Sequence, residues 1–366
     1  MKKITKQGMG LFILLALVFL VSGKAEAAGT ATEDRTAVVI DGIQYNLTRK
    51  NNVTASIDDV RGEQLPSELY VPKKLEYQGE TYTIKQFSWG DIERYMTNDG
   101  GWDLNVAIQN KENSYHSRLK TITFAKGVMV CGYAYEYDNL ENVILENPED
   151  LYCAYYYSCP KLKRLYLTSQ MSTYYNVDIK NCPSLCITID PANQDMKVLD
   201  GDLYSKNGKI LLDVICGQKN YVVKKGVERV HADAMWGNTA IRNVYLPNSV
   251  KNGSIDGLPN LRFVRFGKKM EQFHFGEMEH SAKIKKLYLP KKVRTICCYG
   301  EQMKWTDKIY LYCNTLKKAE FIGNTKRLTF YVKNNTVKKQ LQKAGCKGKI
   351  IVKKNMKPYD KMKWKK

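Results

Sequence analysis

The 366-residue sequence lacks the short phrases that mark the commonest catalytic centres. It has no G-x-S-x-G, no H-E-x-x-H and no glycine-rich phosphate loop, which removes the best-marked hydrolase, zinc-protease and nucleotide-binding classes. Histidine is scarce, with only His116, His231, His274 and His280, and none has an Asp-plus-nucleophile pattern beside it. Cys297 and Cys298 lie about one repeat from His274 and His280, so a Cys-His pair is geometrically open; buried cysteines in a ladder account for the same residues. No C-x-x-C couple occurs, so neither a metal nor a cofactor is expected. Long apolar runs are also missing. The one at residues 11–21 is too short for an ordinary membrane span, and no LPxTG-like sorting phrase is present.

What that run does resemble is the core of an export leader. Lys2, Lys3 and Lys6 precede it, and Ala25-Glu26-Ala27 follows as a small-x-small cleavage phrase, so residues 1–28 read as a signal peptide. The chain is strongly basic, formally +21, and about +18 stays after the leader is removed. Such a balance favours anionic partners. Outside a cell these are anionic wall polymers, acidic glycans or anionic lipid; a nucleic acid is not expected for an exported chain. Ten cysteines are an even number in a compartment that permits disulfides. Yet Ser158-Cys159-Pro160-Lys161-Leu162 and Asn181-Cys182-Pro183-Ser184-Leu185 are one phrase repeated, and Leu258 takes the cysteine's place in Gly257-Leu258-Pro259-Asn260-Leu261. A site that accepts Cys or Leu is a small apolar interior site. Cys159 and Cys182 therefore read as core thiols, with a rung-to-rung disulfide as the other reading. Cys153, Cys186, Cys216, Cys297, Cys298, Cys313 and Cys346 find no evident pairing.

The repeat carries the fold. Leu119-x-x-Ile122-x-Phe124 is followed by Leu140-x-x-Val143-x-Leu145 and Leu162-x-x-Leu165-x-Leu167, then by a shortened Leu185-Cys186-Ile187-Thr188-Ile189. After an interruption come Ile241-x-x-Val244-x-Leu246, Leu261-x-x-Val264-x-Phe266, Ile284-x-x-Leu287-x-Leu289 and Ile309-Tyr310-Leu311. The steps between equivalent positions are about 20 to 23 residues, the period of a leucine-rich solenoid. Two alternating apolar residues turn one strand face inward, and the leading Leu or Ile fills the space beside it. A single rung buries too little to offset its ordering entropy, so several must stack. The interruption contains Asp202-Leu203-Tyr204, the turn Ser205-Lys206-Asn207-Gly208 and Lys209-Ile210-Leu211-Leu212, which reads as a hairpin.

The phrase Ala234-Met235-Trp236-Gly237-Asn238, continued by Ile241, Val244, Leu246 and Pro247, resembles one unit of the BspA-type leucine-rich repeat. Asp200-Gly201-Asp202-Leu203-Tyr204-Ser205-Lys206-Asn207-Gly208-Lys209-Ile210-Leu211 is similar to the hairpin that interrupts such arrays, and Tyr77-Gln78-Gly79-Glu80-Thr81-Tyr82-Thr83-Ile84 to their N-terminal hairpin. The resemblance spans residues 69–352. It implies a secreted or surface protein with an adhesion or interaction role, without naming a ligand.

The expected architecture is thus a β-rich repeat solenoid. Residues 29–84 form an N-terminal β cap, and 85–327 the leucine-rich-repeat array. That array carries a polar insertion at 97–118 and an inserted hairpin at about 198–223. Residues 328–352 are expected as a C-terminal strand-helix-strand cap and 353–366 as a basic disordered tail. The predicted core comprises Leu119, Ile122, Leu140, Val143, Cys159, Leu162, Leu165, Cys182, Leu185, Ile241, Val244, Leu246, Leu261, Val264, Ile284 and Leu287. Tyrosine is the compositional outlier at 25 residues. Tyr135 and Tyr156 are the positions expected inside; Tyr133, Tyr155, Tyr157, Tyr174 and Tyr175, with Trp102 on the insertion, are candidates for a binding surface. Lys361, Lys363, Trp364, Lys365 and Lys366 mix cations with an aromatic ring, as suits an anionic wall polymer or lipid surface; a solubilising end is the plain alternative. The functional expectation is a monomeric, non-catalytic surface scaffold for a protein or glycan ligand, against a carbohydrate-binding protein with a tyrosine-rich face, or a hydrolase.

Overall fold

A computed structural model describes residues 26–27, 35–40, 43–48, 53–56, 67–88, 119–173, 176–253, 255–274, 281, 284–299, 306–357 and 359. The chain begins with β1 (Glu26–Ala27), β2 (Arg35–Ile40), β3 (Ile43–Thr48) and β4 (Val53–Ser56), which pair antiparallel in order. Next come β5 (Glu68–Val71) and the hairpin β6 (Lys74–Tyr77) with β7 (Glu80–Ser88). That hairpin turns through Gln78 and Gly79, both at positive φ (53° and 81°), the backbone that a two-residue turn between twisted strands requires. β4 then pairs parallel to β7, which converts an antiparallel cap into a parallel stack.

From there strands alternate between two ladders. The leucine ladder holds β5, β8 (Thr121–Phe124), β10 (Asn142–Leu145), β12 (Arg164–Leu167) and β14 (Cys186–Ile189), all parallel. The second ladder holds β7, β9 (Met129–Tyr135), β11 (Leu151–Tyr157) and β13 (Val177–Lys180), also parallel. Antiparallel β15 (Met196–Leu199), β16 (Asp202–Ser205) and β17 (Ile210–Asp213) interrupt this pattern. It resumes with β18 (Asn220–Val222), β19 (Arg229–Val230), β20 (Asn243–Tyr245), β21 (Asn252–Gly253), β22 (Phe263–Arg265) and β23 (Gln272–His274). It continues with β24 (Leu287–Leu289), β25 (Thr295–Tyr299), β26 (Lys308–Leu311), β27 (Lys318–Ile322), β28 (Thr329–Val332) and β29 (Lys349–Val352). Even-numbered strands through β28, and then β29, continue the leucine ladder, while β19, β21, β23, β25 and β27 continue the second. The result is a β-solenoid with little helix. α1 (Asn335–Lys343) sits between β28 and β29, its first turn capped by the Asn334 side chain, which accepts from Val337 N–H. β28 and β29 are therefore further rungs, with one helix between them.

Each rung turns two corners. After a leucine-ladder strand a tight turn brings back an inward aliphatic: Val128, Met171, Val227, Val250, Met270 or Val293. After the second strand the chain passes through a left-handed residue: Glu136, Ser158, Asn181, Gly237 and Gly257 all have positive φ. The residue after it plunges inward, as Tyr137, Cys159, Cys182, Asn238 and Leu258 do. This is why Cys159, Cys182 and Leu258 are interchangeable: all three are fully buried at one corner of the rung. Both thiols lie within hydrogen-bond reach of strand carbonyls, Cys159 with Ala134 O and Tyr157 O, Cys182 with Tyr156 O and Lys180 O.

The expected core positions lie between the ladders and are buried. Val143 is the exception: it is only partly buried, packing against the core from β10. The core divides in two at the hairpin. Leu203 and Leu212 belong to the N-terminal cluster, Tyr204 and Leu211 to the C-terminal one. Because side chains alternate across a strand, β16 and β17 each face both cores.

Two buried carboxylates hold this junction. Asp213 Oδ2 accepts the Ile179 N–H of β13 at 2.9 Å, standing where the next strand's carbonyl would otherwise be. Burial drives its pKa well above the ordinary range, opposed by the charge on Lys180. Asp202 accepts the N–H groups of Ile215 (2.9 Å) and Cys216 (3.4 Å) on one oxygen and the Tyr221 hydroxyl (2.6 Å) on the other. It thereby ties the hairpin to β18, the first leucine-ladder strand of the second half.

Candidate binding surface

The side chains that face away from the two ladders form rows, because each lies one strand spacing, about 4.8 Å, from its in-register neighbour. On the N-terminal half of the second ladder, Tyr155 stands beside Asp178 and Tyr135 beside Tyr157 and Lys180, and the Tyr133 backbone is in register with that of Tyr155. Tyr156 points inward and is fully buried, but its inward partner is Ala134 and not Tyr135, which is half-buried on the outer row with its ring 6.3 Å from that of Tyr157. The reason is register: Tyr135 matches Tyr157, so the alternation puts both on the same side. The Tyr157 hydroxyl donates to Asp178 Oδ2 at 2.6 Å, and Asp178 Oδ1 pairs with the buried Lys180 ammonium at 2.9 Å. Burial pushes the Tyr155 hydroxyl up to about 12, so it stays a neutral donor. Tyr155 and Tyr157 thus sit together, both partly covered, with Tyr157 hydrogen-bonded to Asp178. Trp102, Tyr174, Tyr175 and the whole insertion at 97–118 lie outside the described residues.

A second aromatic row lies on the leucine ladder of the C-terminal half. Tyr288, Tyr310 and Tyr331 are in register on β24, β26 and β28. Their rings stack at 4.7 Å and 4.5 Å between centroids, with interplanar angles of 27° and 8°. Their sequence spacing of 22 and 21 residues equals the repeat, which was the available signal for them.

The chain after β29 doubles back over the edge of this row. Met356 and Tyr359 are buried against Tyr312, with Tyr288, Tyr310 and Tyr331 packed around them. The Tyr359 ring meets Tyr312 edge to face at 5.7 Å, and its hydroxyl donates to the Phe266 carbonyl at 2.9 Å. Phe266 follows β22, four rungs back from β29, a distance of about 19 Å at the usual strand spacing. The segment from Val352 to Tyr359 covers this distance by way of a turn at Lys354 and Asn355, with the Tyr359 side chain supplying the last stretch. The expectation of a disordered tail from residue 353 is corrected here: apolar Met356 and Tyr359 gain more by burial on the tyrosine row than the segment loses in freedom. Residues 358 and 360–366, including Lys361, Lys363, Trp364, Lys365 and Lys366, lie outside the described residues.

Charge is divided along the solenoid at the same junction as the core. Residues 1–220 carry 24 Lys and Arg against 27 Asp and Glu; residues 221–366 carry 34 against 10. Lys268 and Lys269 and, one rung on, Lys291 and Lys292 occupy equivalent turns after β22 and β24. Arg294, Lys317 and Lys318 enter the adjacent strands of the second ladder. All seven are exposed, and Glu271 and Glu320 are the carboxylates alongside them on these strands.

His274 stands in register beside Cys297, as the repeat spacing allows, but the Cys297 thiol directs its hydrogen to Glu320 Oε2 at 3.7 Å on the opposite neighbour. Cys298 faces the core, and His280 lies outside the described residues. Among the described residues, no group of three or more His, Cys, Asp and Glu side chains is placed to hold a metal, and no helix is long and apolar enough to cross a membrane.

Solved structures that align with the chain include proteins described as leucine-rich, as is the family that the Ala234–Pro247 phrase resembles. Among solved structures the chain is similar to the pneumococcal vaccine antigen PcpA, at 11% identity over 88% of this chain and 100% of that one, with a TM-score of 0.47. A leucine-rich cell surface protein from Faecalibacterium prausnitzii aligns at 14% identity over 82% of this chain and 97% of that one, TM-score 0.40. A leucine-rich repeat protein from Eubacterium ventriosum aligns at 12% over 86% and 80%, TM-score 0.40. No family model and no curated sequence matches. The fold assignment rests on the ladders themselves.

Proposed function

We propose that the chain is an exported, surface-associated scaffold that binds a linear anionic polymer without catalysis, and that the basic C-terminal half is the binding face. The observation behind this reading is the charge division, with seven exposed cations on neighbouring rungs of one edge. A polymer carrying phosphodiester or carboxylate groups can run along that edge and meet one or two cations per rung, releasing its condensed counterions as it does so. The leader-like start fits export, and the outer faces of stacked rungs offer an extended surface rather than a pocket.

The test is binding of the leader-free chain to a polyol-phosphate polymer, a polyuronate and a neutral glucan, each at two salt concentrations. Binding to the anionic polymers should weaken as salt rises and collapse in a Lys291→Glu, Lys292→Glu, Arg294→Glu variant that melts like the parent. Retention of full affinity by that variant, or tightest binding to the neutral glucan, overturns the assignment.

A further inference from the structure

Cys131 and Cys153 are in-register partners on β9 and β11, 22 residues apart, which is one repeat. Neighbouring strands hold such α-carbons about 4.8 Å apart, inside the 4.4–6.8 Å range of disulfides. The ladder slips between Leu151 and Cys153, a bulge that re-aims the Cys153 side chain. The two thiols differ in access: Cys131 is half-exposed and Cys153 is buried. A hydrogen bond from Cys153 lowers the Cys131 pKa against the opposing effect of burial, and Gln86 Nε2 donates to the Cys131 sulfur at 3.3 Å. A partly exposed thiol of lowered pKa beside a sheltered second thiol is the arrangement of an attacking and a resolving cysteine.

The molecule supplies its own contrast. Cys159 and Cys182 occupy equivalent corners of neighbouring rungs and also contact one another, but both are fully buried, and their mutual hydrogen bond, with burial, raises the Cys182 pKa far above the ordinary thiol value. Proximity is the same there; access and thiolate character are missing.

We propose that Cys131 and Cys153 form a thiol–disulfide exchange site that accepts a small disulfide such as oxidised glutathione. The Cys131 thiolate attacks one sulfur of the incoming disulfide, forming a mixed disulfide and releasing one thiolate. The Cys153 thiol, losing its proton to solvent, then attacks the Cys131 sulfur and expels the second thiol. The incoming disulfide is reduced by two electrons, and the protein gains one bond joining two rungs. The step needs no other oxidant. This inference does not depend on the proposed polymer binding.

The test treats the leader-free chain with oxidised glutathione, alkylates residual thiols at intervals and maps peptides by mass spectrometry. The expected product is a Cys131–Cys153 cross-link formed with loss of two hydrogens, while Cys159 and Cys182 stay alkylatable only after unfolding. In a Cys153→Ser variant, the glutathione adduct should accumulate at Cys131 at least about tenfold faster than at any other cysteine, as expected of an accessible thiol whose pKa is lowered. A wild-type chain whose Cys131 and Cys153 both remain alkylatable, or an adduct distributed evenly over the exposed cysteines, overturns the proposal; the wild-type map decides the matter if the variant does not fold.

Discussion

Replacing Asp202 by Asn should stabilise the junction between the two halves at neutral pH and leave it nearly unchanged in acid. Asp202 is buried, and burial pushes its carboxyl up to about 6, against the three hydrogen bonds it accepts. The folded state therefore holds a proton that the unfolded chain gives up near its ordinary value of 3.8. A carboxyl whose folded pKa is raised adds stability that is complete below the unfolded value and fades as pH rises through the folded one. A difference of about two units corresponds to about 3 kcal/mol. Asn keeps an oxygen for the Ile215 and Cys216 N–H groups, offers its amide to the Tyr221 oxygen and never ionises. The assay is denaturant unfolding of both chains between about pH 4 and pH 7, with hydrogen exchange at the Ile215 and Cys216 amides as a local readout, since repeat arrays open in parts. The variant should gain up to about 3 kcal/mol over the parent as pH rises across that window. Parallel curves for parent and variant refute the argument, because they leave no proton bound by Asp202 on folding.

Asp213→Asn should act in the same direction, raising the melting temperature at pH 7 more than at pH 4, since its oxygen still accepts the Ile179 N–H and Lys180 keeps Asp178. Gly257→Ala should lower the melting temperature: φ is +66° and an added Cβ falls 2.6 Å from the Trp236 ring, so about 1–2 kcal/mol of left-handed strain comes with a steric clash. Removing residues 361–366 should leave the thermal transition unchanged, whereas removing 354–366 takes away Met356 and Tyr359, uncovers Tyr312 and should increase binding of an apolar fluorescent dye.

The leucine ladder was legible because its inward positions are nearly all large aliphatics at constant spacing. One rung escaped, Tyr221 on β18 with Val223 just after the strand: the hairpin displaced it, and its inward pair is Tyr and Val without a leading leucine. The second ladder is far less legible, although Tyr156 is expected inside and lies there. Its inward residues run from Ala134 to Tyr156 and Phe273, and its strands are as short as two residues, so neither size nor period marks them. Tyr135 was misplaced because the register of β9 on β11, and not the local run of tyrosines, decides which ring turns inward. The tail was read from its lysines, whereas the two apolar residues among them decide where it lies. Cys131, Tyr288, Tyr310 and Tyr331 were all recoverable from the repeat period, once each outward residue is compared with its equivalent one unit away.

Arrays of this kind lengthen and shorten by whole units. The anchorage of Tyr359 on Phe266 acts as a gauge on that process: an extra rung between β22 and β29 would move the anchor about 4.8 Å away from the side chain that now reaches it. Among the described residues, rungs nearer the start carry no such tie to the end of the chain. Gain and loss of units should therefore cost less on the acidic side of the hairpin than on the basic side, where the terminus would have to find a new seat.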